Sequence, residues 1–356
     1  MTSLERAMAA VKGKIPDRVP VDLHNFLVAA KMMGEPYSTV FTNAQKIAQS
    51  QINAWERFKH DILLVEVGTT TTAEAVGCKV IYRDKDAPVV GNPLLDKLSD
   101  VKYLKLPDFY NSGGQMREMI EAIKIITKKI GDKVFIMGRA DQGPFSLASQ
   151  IRGYNNFLLD IALRKNIELI HELLDFCCSV TTRYALALID AGAHGTSMGE
   201  SIAGPDVVSP DVYQEFAFPY EKKAIQELKR KGIIVANHIC GNVTSIIEKM
   251  VETGADILEI DEKTNLQKAK KASQGKTCLL GPISPERLRR GTPEEIEFLC
   301  REALKIAAPG GGFILGPGCA MGGDTPLENI DALVKTVKRY GRYEGSTLRN
   351  WQLLDL

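Results

Sequence analysis

The chain has 356 residues, of which 44% are hydrophobic and 25% charged, so it can bury a large core. Its 45 basic residues balance 44 acidic ones, and this net charge of +1 without a basic stripe argues against nucleic acid or a membrane surface as a partner. No apolar run reaches the length of a membrane span, and residues 1–14 are typical of an amphipathic helix, not a signal peptide. We therefore expect a cytoplasmic protein. Its seven scattered cysteines favour free thiols or metal ligands over disulfides.

Helices and strands are predicted to alternate along the chain. The predicted strands are short, and the second of them is a continuous apolar run, as a strand buried on both faces of a parallel sheet requires. They cover residues 18–22, 61–66, 134–138, 195–199, 233–239, 257–260, 277–280 and 313–315. The helices, besides the first, include residues 43–58, 115–129, 143–152, 155–163 and 166–190, and the last helix ends near Arg339. The irregular residues 67–112 predict an insertion after the second strand.

Several later helices begin with clear capping signals. Ser209 and Ser284 each precede a proline, and Thr292 and Thr325 each begin a capping box with proline at the first helical position. Eight strands alternating with helices predict an α/β fold, a single (β/α)8 TIM barrel over residues 1–356 with an N-terminal helix. A doubly wound open sheet is the alternative, but no glycine-rich dinucleotide motif follows the first strand.

Polar residues follow most of the predicted strands. In a TIM barrel the functional side chains lie at the carboxyl ends of the strands. The residues placed there are Asp22, His24, Glu66, Arg139, Asp141, Glu200, His238, Cys240, Asp261 and Cys319. Side chains that are distant in sequence are therefore predicted to converge on one opening.

Three of these residues have the chemistry of zinc ligands. His238 and Cys240 flank one residue, so on a strand their side chains point to the same face. Cys319 follows another strand, in a Gly-Pro-Gly-Cys loop that allows close backbone approach. One imidazole and two thiols, with a fourth position open, is the ligand count of a catalytic zinc site. The remaining cysteines are expected to be packing residues.

The other rim residues have weaker assignments. Glu200 is either a capping carboxylate or a catalytic group that occupies the fourth zinc position or accepts a proton. His24 is a candidate for contact with substrate or with a ligand. Arg139 and Asp141 are candidate substrate-binding residues, although a salt bridge of Arg139 with Asp141 or Glu66 is an equal alternative.

The chain resembles the uroporphyrinogen decarboxylase superfamily over nearly its whole length. The resemblance lies in residues 16–20 (Pro-Asp-Arg-Val-Pro), residues 143–148 (Gly-Pro-Phe-Ser-Leu-Ala) and the segment from Ser209 to Tyr220. Within it, the histidine and two cysteines, followed by Thr-Pro-Leu-Glu-Asn at 325–329, resemble the zinc-dependent methylcobalamin:coenzyme M methyltransferases. The first strand ends without the arginines, and the second without the aspartate, of the decarboxylase branch.

The resemblance implies a methyl transfer between a corrinoid and a small thiol such as coenzyme M. Zn²⁺ held by His238, Cys240 and Cys319 would activate the thiol, and a separate corrinoid protein would be the partner. The direction of transfer and the donor stay open, as does a homodimer. Two other readings remain: a metal-free uroporphyrinogen decarboxylase, and a non-catalytic barrel that binds a corrinoid partner.

Overall fold

A parallel sheet is the centre of the molecule. The structure, a computed structural model, describes residues 1–111 and 113–349. Within those residues, seven strands pair in the order β1-β4-β5-β6-β7-β8-β9. They are β1 (Ile62–Val65), β4 (Phe135–Gln142), β5 (Gly195–Glu200), β6 (Ile234–Ile239), β7 (Ile257–Ile260), β8 (Cys278–Ile283) and β9 (Phe313–Pro317). The strands predicted second to eighth are therefore present, and the sheet is curled and parallel.

The predicted first strand, residues 18–22, is not a regular strand. It forms isolated bridges, in which Val21 pairs with Leu315 of β9 and Asp22 pairs with Ile62 of β1. The amide of Asp22 donates to the carbonyl of Leu315 (3.1 Å), and the amide of Ile62 donates to the carbonyl of Val21 (3.1 Å). Pro20 has no N–H to donate, which explains why no longer ladder forms here. The segment nevertheless contacts both edges of the seven-stranded sheet.

Helices cover the outer face of the sheet. Their bounds are α1 (Ser3–Val11), α2 (Phe26–Lys31), α3 (Tyr37–Val40), α4 (Ala44–Phe58), α5 (Thr71–Ala75), α6 (Gly114–Ile130), α7 (Pro144–Arg152), α8 (Tyr154–Ala162), α9 (Ile167–Asp190), α10 (Pro210–Val212), α11 (Phe218–Arg230), α12 (Ile247–Glu252), α13 (Leu266–Ser273), α14 (Pro285–Arg290), α15 (Pro293–Ala307) and α16 (Leu327–Tyr340). A π-helical turn, Tyr213–Ala217, joins α10 to α11. No described helix has both the length and the apolar character needed to span a membrane.

The predicted insertion follows β1. It contains α5, a hairpin of β2 (Lys79–Ile81) and β3 (Val89–Asn92), and a 3-10 helix, Leu98–Tyr103. A second small hairpin, β10 (Tyr343–Glu344) and β11 (Thr347–Leu348), follows α16. The predicted domain extends to residue 356, so residue 112 and residues 350–356 of that prediction lie outside the described part.

Side chains inside the curled sheet change from apolar to polar towards the carboxyl ends of the strands. Successive residues of a strand point to opposite faces, so every second residue faces inward. In β1 and β4 the inward series begins with apolar residues that also contact α1, which closes the amino-terminal end. The series then ends in Glu66 and Arg139, and the corresponding positions in β6 and β7 are His238 and Glu259. The interior of the sheet is thus filled with apolar side chains at its amino-terminal end. At its carboxyl-terminal end it forms an opening lined by polar side chains.

Candidate metal centre

The opening brings together the imidazole and both thiols that the sequence singled out. His238 is the last inward-facing residue of β6, Cys240 follows that strand, and Cys319 follows β9. Nε2 of His238 lies 3.2 Å from Sγ of Cys240, which in turn lies 4.0 Å from Sγ of Cys319. The three donor atoms lie within 4.8 Å of one another. Among the described residues, this is the group of His, Cys, Asp and Glu that could hold a metal ion.

Two turns that require glycine bring the two thiols together. Gly241 has φ +84°, a conformation that L side chains rarely adopt, so the chain can turn immediately after Cys240. The carboxylate of Asp261 accepts the amide of Gly241 at 3.1 Å and fixes that turn. At Gly318, a Cβ atom would lie only 2.8 Å from the carbonyl oxygen of Ile260. The loop carrying Cys319 can therefore lie against the end of β7 only because residue 318 has no side chain.

The backbone of β7 fixes the orientation of the histidine. Nδ1 of His238 lies 3.1 Å from the carbonyl oxygen of Glu259, which can only accept, so Nδ1 donates and Nε2 is left to face the thiols. The carboxylate of Glu259 lies 3.7 Å from the same Nδ1. A histidine ligand whose other ring nitrogen donates to a carbonyl, beside a carboxylate, is the usual arrangement around a bound metal.

The two thiols differ in acidity. The hydrogen bond with Cys319 lowers the pKa of Cys240, and the nearby Arg139 guanidinium acts in the same direction. The same thiol–thiol contact, together with burial, raises the pKa of Cys319. Both thiols are partly exposed, whereas His238 is buried beneath them. The two cysteines are therefore closer to solvent than the histidine.

Comparison with known proteins identifies the family. A family model described as uroporphyrinogen decarboxylase (URO-D) matches residues 2–340. The chain belongs to the uroporphyrinogen decarboxylase family. The superfamily predicted from the sequence is thus confirmed.

Relatives from two branches of the family match almost the whole chain. The methylcobamide:CoM methyltransferase MtaA of Methanosarcina barkeri is 29% identical over 94% of this chain and 97% of its own length. A uroporphyrinogen decarboxylase of Carboxydothermus hydrogenoformans is 28% identical over 94% of this chain and 91% of its own length. A solved methyltransferase from Methanosarcina mazei superposes with a TM-score of 0.87 at 29% identity, covering 95% of this chain and 99% of that one. The predicted likeness to the methylcobamide:coenzyme M methyltransferases is confirmed.

The predicted substrate-binding residues lie at the opening, but their side chains form hydrogen bonds and ion pairs with other residues of the chain. Arg139 donates to Ser197 (2.7 Å) and lies 3.4 Å from Glu66 and 3.5 Å from Glu259. It does not lie after its strand, as predicted, but within β4, which extends to Gln142. The alternative of a salt bridge with Glu66 is therefore present.

Asp141 and His24 are also held by the protein. One oxygen of Asp141 accepts the amide and the hydroxyl of Thr72, at 2.7 and 2.8 Å. The other oxygen has no hydrogen-bond partner among the described residues, and burial raises the pKa of this carboxyl to about 6. His24 lies between Glu66 and Glu259. Each of these side chains is buried, which leaves little surface for a substrate to contact directly.

Glu200 is not brought into the cluster. It alternates with the inward-facing Gly199 and therefore points outward from β5. Its carboxylate accepts the amides of Phe145 (3.0 Å) and Ser146 (2.7 Å) at the start of α7. This is the capping role that the sequence left as the alternative. Burial raises the pKa of Glu200, and no metal-ligating atom of the described cluster belongs to it.

Sequence reasoning missed Glu259. It is the central carboxylate of the opening because it contacts His24, His238 and Arg139. The hydrogen bonds and charges of these groups lower its pKa even though burial opposes ionisation. A sequence signal was available: Glu259 is a lone acid in an apolar strand, and a buried charge requires partners.

Proposed function

We propose that this protein transfers a methyl group between a corrinoid and a small thiol, with Zn²⁺ held by His238, Cys240 and Cys319. The observation that carries the proposal is the convergence of these three donors at the carboxyl end of the sheet. The nearly full-length likeness to a methylcobamide:CoM methyltransferase supports the choice of reaction. A separate corrinoid protein would be the partner, and coenzyme M is the thiol that the relative's name suggests.

The donor set suits zinc. Two Zn–S bonds of about 2.3 Å in a tetrahedron place the sulfur atoms about 3.8 Å apart, close to the separation of the two thiols. That separation is 4.0 Å here. With three protein donors, one position stays open for a substrate, as in catalytic zinc sites. When bound, Zn²⁺ would lower the pKa of a thiol in that position and so provide a thiolate near neutral pH.

The residues of the opening provide orientation and charge. The backbone of β7 directs Nε2 of His238 towards the donor cluster, and Arg139 contributes a positive charge beside both cysteines. The thiolate sulfur would attack the methyl carbon, and both electrons of the broken cobalt–carbon bond would stay on cobalt. Glu200 points outward, and Glu259 lies beside Nδ1 of His238, on the side of the ring away from the thiols. The open position would therefore be left to the substrate.

We propose that residues 18–22 act as the eighth strand, which makes the sheet a closed (β/α)8 barrel. Their hydrogen bonds to both β9 and β1 support this reading. We also propose that the chain is a single domain, because α1 contacts β1, β4 and β9 at the amino-terminal end of the sheet.

Cys240, whose Sγ lies 3.2 Å from Nε2 of His238, provides the decisive test. Cys240→Ala should lose both zinc and methyl transfer from methylcobalamin to a thiol, since two donors alone do not make such a site. Cys300→Ala is the control, because Cys300 is buried in α15 outside the cluster. Metal analysis and the absorbance of methylcobalamin give the two measurements. Zinc at one equivalent in purified Cys240→Ala would refute the metal centre.

Uroporphyrinogen decarboxylation is the second candidate, favoured by the equally long match to a decarboxylase. Against it, Arg139 is already paired with Glu66 and Glu259. It is the one arginine of the described cluster around the proposed metal donors. A tetra-acid substrate needs free cations, and the opening has carboxylates instead. Formation of coproporphyrinogen by metal-free protein would establish this alternative. A chain without turnover in either assay would support the non-catalytic, corrinoid-binding reading.

A further inference from the structure

His24 has an unusual environment for a histidine. Its Nδ1 lies 2.6 Å from Oε1 of Glu259, and its Nε2 lies 3.1 Å from Oε2 of Glu66. The residue has φ +42°, a left-handed conformation that L residues rarely adopt. The ring is almost fully buried, at 3% exposure, as are both carboxylates. A ligand could therefore reach neither ring nitrogen without displacing a carboxylate.

The two contacts fix the protonation state. An ionised carboxylate only accepts hydrogen bonds, so a ring nitrogen facing one must carry a proton. With a carboxylate at each nitrogen, His24 is an imidazolium. Burial alone would lower its pKa, but Glu259 and Glu66 outweigh burial and raise the pKa well above its usual value. The other charged or titratable groups facing this cluster are Asp22, whose pKa burial raises to about 7, Arg139, Asp141 and His238.

The contacts continue from His24 to the metal donors. The carboxylate that His24 holds at 2.6 Å belongs to Glu259, whose other oxygen lies 3.7 Å from Nδ1 of His238 and 3.5 Å from Arg139. We propose that His24 is a positioning residue, a fixed cation that holds Glu259 beside His238 and away from the position that a thiolate would occupy. The inference rests on the proposed function. Of the two roles that the sequence left open for His24, it favours support of a metal ligand over direct contact with substrate.

Loss of the His24 cation should weaken the binding of a thiolate in two ways. Without it, Glu259 keeps only its longer contacts with Arg139 (3.5 Å) and Nδ1 of His238 (3.7 Å), so it can turn towards the open zinc position and compete with a thiolate. The opening also becomes more negative, which disfavours any anionic sulfur. The affinity of the zinc-loaded protein for thiols should therefore fall, whereas the affinity for Zn²⁺ itself should not.

The experiment is a calorimetric titration of zinc-loaded protein with two probes, 2-mercaptoethanesulfonate and 2-mercaptoethanol. In His24→Gln the dissociation constants of both thiols should rise by about tenfold or more, which corresponds to a loss of about 1.4 kcal/mol of binding free energy. Zinc content should stay at the wild-type value. His24→Lys restores a cation that can donate to both carboxylates, so it should recover most of the affinity. His171→Gln is the control, since His171 stacks on Phe216 at α9.

The outcomes separate the alternatives. Weakening of the sulfonate probe alone would overturn the proposal in favour of direct contact between His24 and substrate, and unchanged affinity for both thiols would also overturn it. Wild-type protein that binds neither thiol would instead refute the proposed function. In that case the ring ¹⁵N resonances decide: both nitrogens of His24 should remain protonated at about pH 8, well above the usual histidine range. A neutral ring would overturn the inference.

Discussion

At the scale of single residues, the chemical type of the site residues could be predicted from the sequence more reliably than the direction in which their side chains point. The candidate metal donors were identifiable because His and Cys residues are few and two of them, His238 and Cys240, flank a single residue. Glu200 was placed on the correct rim but on the wrong face of its strand, because a one-residue change in parity reverses the direction of a side chain. Gly199 carries no side chain that could have indicated which parity faces inward.

Glu200→Gln tests the outward direction of this side chain. The variant should keep one equivalent of zinc and its methyl-transfer activity. It should lose about 1–2 kcal/mol of unfolding free energy, because one oxygen that caps α7 becomes an amide nitrogen that cannot accept. Metal analysis and urea unfolding measure the two effects, and loss of zinc would restore Glu200 as a ligand.

At the scale of elements, α11 and β6 share a buried polar contact that no periodicity predicts. Glu221 of α11 accepts the hydroxyl of Tyr213 (3.0 Å) and the side-chain amide of Asn237 (3.1 Å). Asn237 precedes His238 in β6, so the contact ties the strand that carries His238 to the helix that follows the π-helical turn. Burial and the proximity of Glu200 raise the pKa of Glu221. The sequence predicted a helix and a strand here, but not the contact between Glu221 and Asn237, which depends on how the helix packs on the sheet.

This contact predicts a pH dependence of stability. An acid whose pKa is raised by folding contributes stability that is complete below its unfolded value of 4.5 and is lost as the pH rises through its folded pKa. Each unit of difference corresponds to about 1.4 kcal/mol. Urea unfolding from about pH 5 to pH 8 should therefore show wild-type stability falling more steeply than that of Glu221→Gln. The control is Glu227→Gln on the same helix, and parallel curves for Glu221→Gln and wild type would contradict the assignment.

At the scale of the whole molecule, alternation of strands and helices was sufficient to predict a curled parallel sheet, but not which residues bridge its two edges. Residues 18–22, the proposed closing segment, are held by Asp61, which is fully buried. Its carboxylate accepts from Arg6 (2.7 Å), from Arg18 (2.6 and 3.0 Å) and from the amide of Val21 (2.9 Å). One side chain thus joins α1, the closing segment and the start of β1. Asp61 was expected only as the first residue of a strand, since a sequence does not show which charges meet.

Asp61→Asn should destabilise the whole protein rather than its active site. The asparagine nitrogen would face donors, and two arginines would lose their buried counter-charge, a change that typically costs about 3–5 kcal/mol. Asp331→Asn is the control, because its ion pair with Arg57 is partly exposed and such pairs contribute about 0–1 kcal/mol. If residues 1–356 form one domain, calorimetry of zinc-loaded Asp61→Asn should show a single transition at lower temperature. Two separate transitions, with only one of them shifted, would mean that the closing segment and α1 belong to a unit distinct from the sheet.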